Sequence, residues 1–96
     1  MTSKQRAYLR AQANKIDSIF QVGKGGITDV LLKQLDDAIE ARELIKISVL
    51  ETAPGSAKEL AEEIAAGSNS IVVQTVGNKI TLFRQRKKDS KFQLPK

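Results

Sequence analysis

The residues best suited to binding a charged ligand form the tetrapeptide Gly23-Lys24-Gly25-Gly26. It joins an apolar run, residues 19–22, to an amphipathic segment that starts at Thr28. Backbone amides at the start of a helix lack intrahelical partners, and the helix dipole adds partial positive charge there. Glycines permit close approach, and Lys24 supplies a mobile cation. The tetrapeptide predicts a clamp for a nucleic-acid backbone, and it fits a flexible strand-to-helix turn equally well.

The composition argues against most classes of enzyme. The chain has no cysteine and no histidine, which excludes disulfides and thiolate metal sites and removes the commonest general base. No apolar run approaches the roughly 20 residues that a spanning helix needs, and Met1 leads into polar sequence rather than a signal peptide. We therefore expect a cytoplasmic protein that is not an enzyme, with no membrane, metal, cofactor or small-molecule substrate.

Charge is distributed unevenly along the chain. Residues 1–26 hold five basic side chains and one acidic side chain. Residues 27–70 hold four basic and nine acidic side chains, and residues 71–96 hold seven basic side chains and one acidic side chain. If the fold brings both termini to the side of the glycine loop, one face attracts polyanions and another repels them. The alternative is a random scatter of surface charge.

Apolar periodicity and capping signals predict three helices. They run from the capping box Thr2-x-x-Gln5 to about Ala13, from the N-cap Thr28 to about Arg42, and from the capping box Ser56-x-x-Glu59 to just before Gly67. The carboxylates of the second helix most simply form a solvated face.

Four strands are predicted, over residues 18–22, 44–50, 71–76 and 79–83, with Gly77-Asn78 as a tight hairpin loop. Right-handed crossovers make the first three strands parallel and the fourth reversed. We expect one compact α/β domain, ordered α-β-α-β-α-β-β, in which a mixed four-stranded sheet packs with three helices. Because residues 86–96 are basic and lack periodicity, we predict a domain over residues 1–85 and a mobile basic tail over residues 86–96.

With these elements placed, the chain resembles the CRM domain in its bacterial stand-alone YhbY-like form. The order and spacing of several short motifs carry the resemblance over nearly the whole chain: Lys4-Gln5-Arg6 with Leu9 and Arg10, Ala13-Asn14-x-Ile16, Gly23 to Thr28, Glu43 to Ile47, Val76 to Arg84, and Lys91-x-x-Leu94-Pro95. The chain departs from the family at Asn14, Ser18 and Phe83, where histidine, proline and tyrosine are frequent.

The resemblance implies an RNA-binding domain whose Gly-x-x-Gly loop and neighbouring basic residues contact RNA. It also implies a bacterial role on precursors of the large ribosomal subunit. The implied fold is similar to the C-terminal domain of translation initiation factor three, with the last strand between the second and third.

We interpret the chain as a monomeric, non-enzymatic protein that binds ribosomal RNA or a large-subunit precursor. Few aromatic residues are present to stack on bases, so shape and phosphate contacts must supply most of the affinity. Phe20 and Phe83 fit either core or stacking roles. The predicted RNA contacts are Gly23, Lys24, Gly25, Gly26, Lys4, Arg6, Arg10, Lys79, Arg84 and Arg86.

Two other interpretations remain open. An Alba-like chromatin protein would bind DNA or RNA, and a comparison of structured RNA with duplex DNA at equal salt distinguishes it. A protein-interaction adaptor would dock a basic ribosomal protein on the acidic second helix, and would keep that partner after nuclease treatment.

Overall fold

The computed structural model describes residues 1–95, which form three helices and four strands. In chain order these are α1 (Ser3–Ala13), β1 (Ser18–Val22), α2 (Asp29–Arg42), β2 (Leu44–Val49), α3 (Ala57–Gly67), β3 (Ile71–Val76) and β4 (Lys79–Phe83). The predicted fold class and element order are confirmed.

The helix starts follow from local capping. Thr2 and Gln5 exchange two hydrogen bonds of 3.1 Å, and Ser56 and Glu59 exchange two of 3.0 and 3.2 Å. The Thr28 hydroxyl accepts the Leu31 N–H at 3.1 Å. Each bond satisfies a donor that the helix itself leaves free, so the predicted starts are confirmed.

The end of α3 differs by one residue from the prediction, because Gly67 is its last helical residue. A Cβ atom at this position would lie 2.7 Å from Leu32 Cδ1. Gly67 therefore allows α3 to pack closely on α2, and it does not act as a stop before the helix ends.

The sheet has the order β1-β2-β4-β3. Strand β1 pairs in parallel with β2, and β4 is antiparallel to both β2 and β3. The hairpin loop is two residues long, with Gly77 at a φ of 58°, so β4 must lie beside β3. Its other edge pairs with β2, which confirms the strand position that the resemblance implied.

Apolar side chains fill both faces of the sheet. One core lies between the sheet and α2 and α3, and includes Ile47, Ile64 and Ile80. A smaller core lies between the other face and α1, where Leu9 packs with Phe83. Phe83 is only 2% exposed and is a core residue. The sheet thus separates α1 from α2 and α3.

The segment after residue 85 is not a free tail, because several of its residues pack or form hydrogen bonds on the domain. The rings of Phe92 and Phe83 meet edge to face with centroids 5.7 Å apart, and Leu94 packs on the same core. Because two apolar residues in a short basic segment create no periodicity, the sequence pattern gave no sign of this packing. The boundary between a domain and a tail at residue 85 remains a prediction.

The buried carboxylate of Glu43 holds this tail in place. Glu43 follows α2 directly, has a φ of 67° and is fully buried. It accepts hydrogen bonds from the Ser90 hydroxyl at 2.6 Å, the Arg86 N–H at 3.1 Å and the Lys91 N–H. Burial by itself would raise the pKa of the Glu43 carboxyl, but these three donors together lower that pKa below its ordinary value.

Replacing Glu43 with glutamine should destabilise the fold in a pH-dependent manner. A carboxyl with a lowered folded-state pKa stabilises the protein fully above its unfolded pKa, roughly 4.3, and the stabilisation is lost as the pH falls through the folded value. Near pH 7, Glu43→Gln should lower the free energy of unfolding by about 1 to 3 kcal/mol. Urea denaturation across pH measures the difference.

The gap between wild type and Glu43→Gln should shrink progressively as the pH falls below about 4, because the Glu43 carboxyl takes up a proton first in the unfolded state and then, at lower pH, in the folded state. Glu62→Gln, which changes an exposed residue of α3, is the matched control and should be nearly neutral. A gap that stays constant from pH 7 to pH 3 would contradict the role of the charged carboxylate.

Arg6 stabilises an irregularity in β3. The pairing of β3 with β4 shifts register between Val72 and Gln74. Arg6 Nη1 donates to the carbonyl oxygens of Val72 at 2.6 Å and Val73 at 2.7 Å. A bulge frees backbone groups from the ladder, and the guanidinium of α1 satisfies two of them.

Arg6→Ala should therefore lower the free energy of unfolding by about 1.5 to 3 kcal/mol, because it leaves two partly buried carbonyls without their charged donor. Lys4→Ala is the control, because Lys4 lies two residues away on α1 and is exposed. It should change stability by less than about 0.5 kcal/mol. Equal thermal melting of the two variants would refute the structural role of Arg6.

Candidate nucleic-acid interface

The glycine loop is a closed turn with an open tip. The Gly26 N–H donates to the Gly23 carbonyl at 2.9 Å. Gly26 has a φ of 67°, and a Cβ atom there would lie 3.0 Å from Pro54 Cγ, so the fold itself requires this glycine. Lys24 and Gly25 are exposed, and a Cβ atom at Gly25 would meet nothing within 4 Å. The free space beside Gly25 is where another backbone can approach.

The start of α2 is less suited to an anion than the sequence suggested. Two residues separate the turn from Asp29, the first residue of α2. The Thr28 hydroxyl already caps the Leu31 N–H, and Asp29 adds negative charge in the first turn. Within residues 1–95, the amides of Lys24 and Gly25 make no hydrogen bond. These two amides are free donors at the tip of the loop.

Three segments meet at one end of the sheet, which we call the loop end. The Leu50 N–H donates to the Val22 carbonyl at 2.9 Å, and the Val49 N–H donates to the Asn78 carbonyl at 2.7 Å. The glycine loop, residues 50–54 and the β3–β4 hairpin are therefore neighbours. Of the predicted cations outside the loop, Lys79 belongs to this end, since it directly follows the hairpin.

A row of polar side chains extends from the loop end across the α1 face of the sheet. Cross-strand pairing places Gln21 beside Ser48, Ser48 beside Lys79, and Lys46 beside Thr81. Lys79 Nζ donates to Ser48 Oγ at 2.7 Å. We call Gln21, Lys46, Ser48, Lys79 and Thr81 the polar row. Lys46 was missed as a candidate, although its alternation with Ile45 and Ile47 places it on this face.

Helix α1 covers the other half of the same face. Leu9 packs with Leu44 and Phe83. Leu44 is the first residue of β2 and lies five residues from Val49 at the loop end, a distance of about 16 Å along the strand. Lys4 and Arg10 are exposed on α1, whereas Arg6 is engaged with β3. The structure thus brings Lys4 and Arg10 to the side of the sheet that carries the polar row.

Arg84 and Arg86 lie on the α2 side of the sheet, where their guanidinium groups form hydrogen bonds with residues of α2. Arg84 forms ion pairs with Asp36 at 2.6 Å and Glu40 at 3.1 Å, and its side chain is 21% exposed. The hydrogen bond from Arg84 lowers the pKa of the Asp36 carboxyl. Arg86 donates to the carbonyls of Glu40 and Ala41 at 2.8 and 3.0 Å, which lack partners at the end of the helix. The structure does not bring either arginine to the loop.

The two sides of the sheet differ in charge. Helix α1 carries three basic residues and no acidic one. Helices α2 and α3 together carry seven acidic and three basic residues. The α1 face therefore attracts polyanions and the α2–α3 face repels them, although the basic tail lies partly against α2.

Metal-ligand clusters and membrane-spanning helices do not occur among the described residues. Within residues 1–95, no three acidic side chains lie close enough together to hold a metal ion. None of the helices α1 to α3 is long and apolar enough to cross a bilayer.

Comparison with known proteins identifies the family. The sequence profile of the CRS1/YhbY (CRM) domain matches residues 1–84. The chain is 45% identical over 95 residues to the Bacillus subtilis "Probable RNA-binding protein YqeI", with 99% of each chain covered. It is 35% identical over 94 residues to the Methanocaldococcus jannaschii "Probable RNA-binding protein MJ0652", which covers 96% of this chain and 69% of that protein.

A solved structure shows the same fold. The solution structure of the Staphylococcus aureus protein SAV1595, a candidate RNA-binding protein, matches with a TM-score of 0.83 and 45% sequence identity over 99% of both chains. Sequence and structure agree along the length of the domain. The chain belongs to the CRS1/YhbY (CRM) domain family.

Proposed function

We propose that this protein binds structured RNA by its phosphate backbone, and that it acts without catalysis. The binding surface consists of the glycine loop, the accessible members of the polar row, which are Gln21, Lys46 and Lys79, and the exposed face of α1. The observation that carries the proposal is the loop tip, where two unpaired amides and Lys24 border open space at Gly25. Donors of this kind bind phosphate oxygens without reading base identity.

The cations fall into two groups by their contacts. Lys4, Arg10 and Lys24 have no side-chain partner within residues 1–95 and are exposed on or beside the α1 face. Arg6, Arg84 and Arg86 are held by hydrogen bonds to the protein itself. We assign phosphate contacts to the first group, with Lys46 and Lys79 from the polar row. Lys79 is included because its partner is the neutral Ser48 hydroxyl and not a carboxylate. The second group stabilises the fold of the domain.

We further propose that the target is ribosomal RNA or a precursor of the large ribosomal subunit in the cytoplasm, and that the protein binds it as a monomer. The resemblance of the motifs to YhbY-like proteins supports this target. Crosslinking in cells, followed by sequencing of the attached RNA, tests it directly. Recovery of only non-ribosomal RNA would refute the target while leaving the binding surface in place.

The adaptor interpretation receives less support than RNA binding. Its docking surface is the acidic face of α2, but Asp36 and Glu40 are already paired with Arg84, and Asp37 is paired with Lys33 at 2.7 Å. A basic partner would have to replace these intramolecular pairs. Retention of a ribosomal protein after nuclease treatment would favour the adaptor.

The loop proposal predicts different costs for two substitutions. Lys24→Ala should weaken binding to a ribosomal RNA fragment roughly fivefold, or about 1 kcal/mol, the scale of one charge-assisted contact. Gly25→Leu should weaken binding more, because the new side chain fills the space that a backbone needs. Its fold should be unchanged, since a Cβ atom there has no neighbour within 4 Å. Fluorescence anisotropy gives affinity, and thermal melting gives stability.

Lys58→Ala, on exposed α3, is the control and should bind nearly as the wild type does. If Gly25→Leu melts normally and also binds normally, the loop is only a connector between β1 and α2.

Backbone binding also predicts a strong dependence on salt. With about five phosphate contacts, from Lys4, Arg10, Lys24, Lys46 and Lys79, the slope of log affinity against log salt should be about −3.5 to −4.5. A sequence variant with the same RNA shape should bind equally at each salt concentration. A slope shallower than about −1 would contradict phosphate clamping. A large difference between the two RNAs would instead indicate base readout.

A further inference from the structure

A cleft lies at the end of the sheet opposite to the loop. It forms where the end of α1, the starts of β1 and β2, the end of α2 and the docked tail meet, and its volume is about 480 Å³. Its position about one strand length, roughly 16 Å, from the glycine loop makes it separate from the clamp. Pockets of a few hundred Å³ are large enough for a small organic group.

The rim of the cleft carries three cations, Lys15, Arg42 and Lys91. All three are exposed, and none has a side-chain hydrogen bond or ion pair within the described part of the chain. Arg84 and Arg86 differ in this respect, because both form hydrogen bonds with residues of α2. Asp17 is the single carboxylate among the lining residues, so the rim has a net positive charge.

The inner wall is apolar. Ile16, Ile19 and Phe92 line the cleft and are partly buried, and Gln12 adds an amide that can donate or accept hydrogen bonds. The aromatic ring is fixed, because Phe92 packs on Phe83 and the Glu43 carboxylate holds the backbone of the adjacent Lys91. A fixed ring and two aliphatic side chains under a cationic rim suit a flat ring attached to phosphates.

We propose that this cleft binds one unpaired nucleotide of the RNA that the loop face clamps. The inference rests on the proposed function. The base lies against Phe92, Ile16 and Ile19, and the adjoining phosphates contact Lys15, Arg42 and Lys91. Unpaired bases are the parts of a folded RNA that a protein can enclose in this way. The docked tail then has a function, since it supplies both the ring and one of the cations.

The test compares two RNA hairpins with the same stem, one fully paired and one with a single unpaired 4-thiouridine. The wild type should bind the bulged hairpin roughly tenfold more tightly, within the range expected for stacking of one base. The triple variant Lys15→Ala/Arg42→Ala/Lys91→Ala should lose this preference. Lys24→Ala should weaken binding to both hairpins and keep the preference, and Lys58→Ala should change neither.

Irradiation of the bulged complex should crosslink the 4-thiouridine to the peptide that contains Lys91 and Phe92, as identified by mass spectrometry. Equal affinity of the wild type for both hairpins, or crosslinks confined to residues 20–28, would overturn the cleft inference while leaving backbone binding intact. Equal weakening of both hairpins by the triple variant would also overturn it, because the cations would then contact only stem phosphates. Failure of the wild type to bind either hairpin would overturn the proposed function itself.

Discussion

The arrangement of the C-terminal segment, residues 86–95, depends on one buried carboxylate, that of Glu43. Leaving this charge without donors would be costly, so the backbone of residues 86–91 must stay within hydrogen-bond reach of it. The bonds from Arg86, Ser90 and Lys91 meet this requirement. They also fix Phe92 against Phe83. A segment that composition assigns to solvent thus becomes part of the domain and one wall of the cleft.

Features set by neighbours in sequence could be predicted, and features set by distant partners could not. The capping boxes at Thr2 and Ser56 and the hairpin at Gly77 are local, so their residue types alone define them. Arg6 and Arg84 were predicted as RNA contacts because only their charge is visible in the sequence. Their partners lie 66 and 48 residues away, and no local pattern shows such a pair.

The glycines of the loop also differ in whether the sequence alone reveals their role. Gly26 has a positive φ and lies against Pro54, so the fold requires it, whereas Gly25 has ordinary backbone and empty space beside it. Sequence spacing treats the two as equivalent members of a Gly-x-x-Gly loop. Only the structure distinguishes the residue that builds the turn from the one that is free to meet a ligand.

In a basic protein, a cation that already forms hydrogen bonds or ion pairs within the fold is less available to a ligand than a cation that has no such partner. A guanidinium already held by carboxylates gives up those bonds before it can bind phosphate, which offsets much of the gain. The cations that lack partners, such as Lys24 near the loop end and Lys15 and Lys91 at the cleft, bear no such cost. They lie at opposite ends of the β1–β2 pair. In the binding mode that we propose, an RNA that contacts both ends runs along the sheet, and its shape rather than its base sequence decides whether it fits.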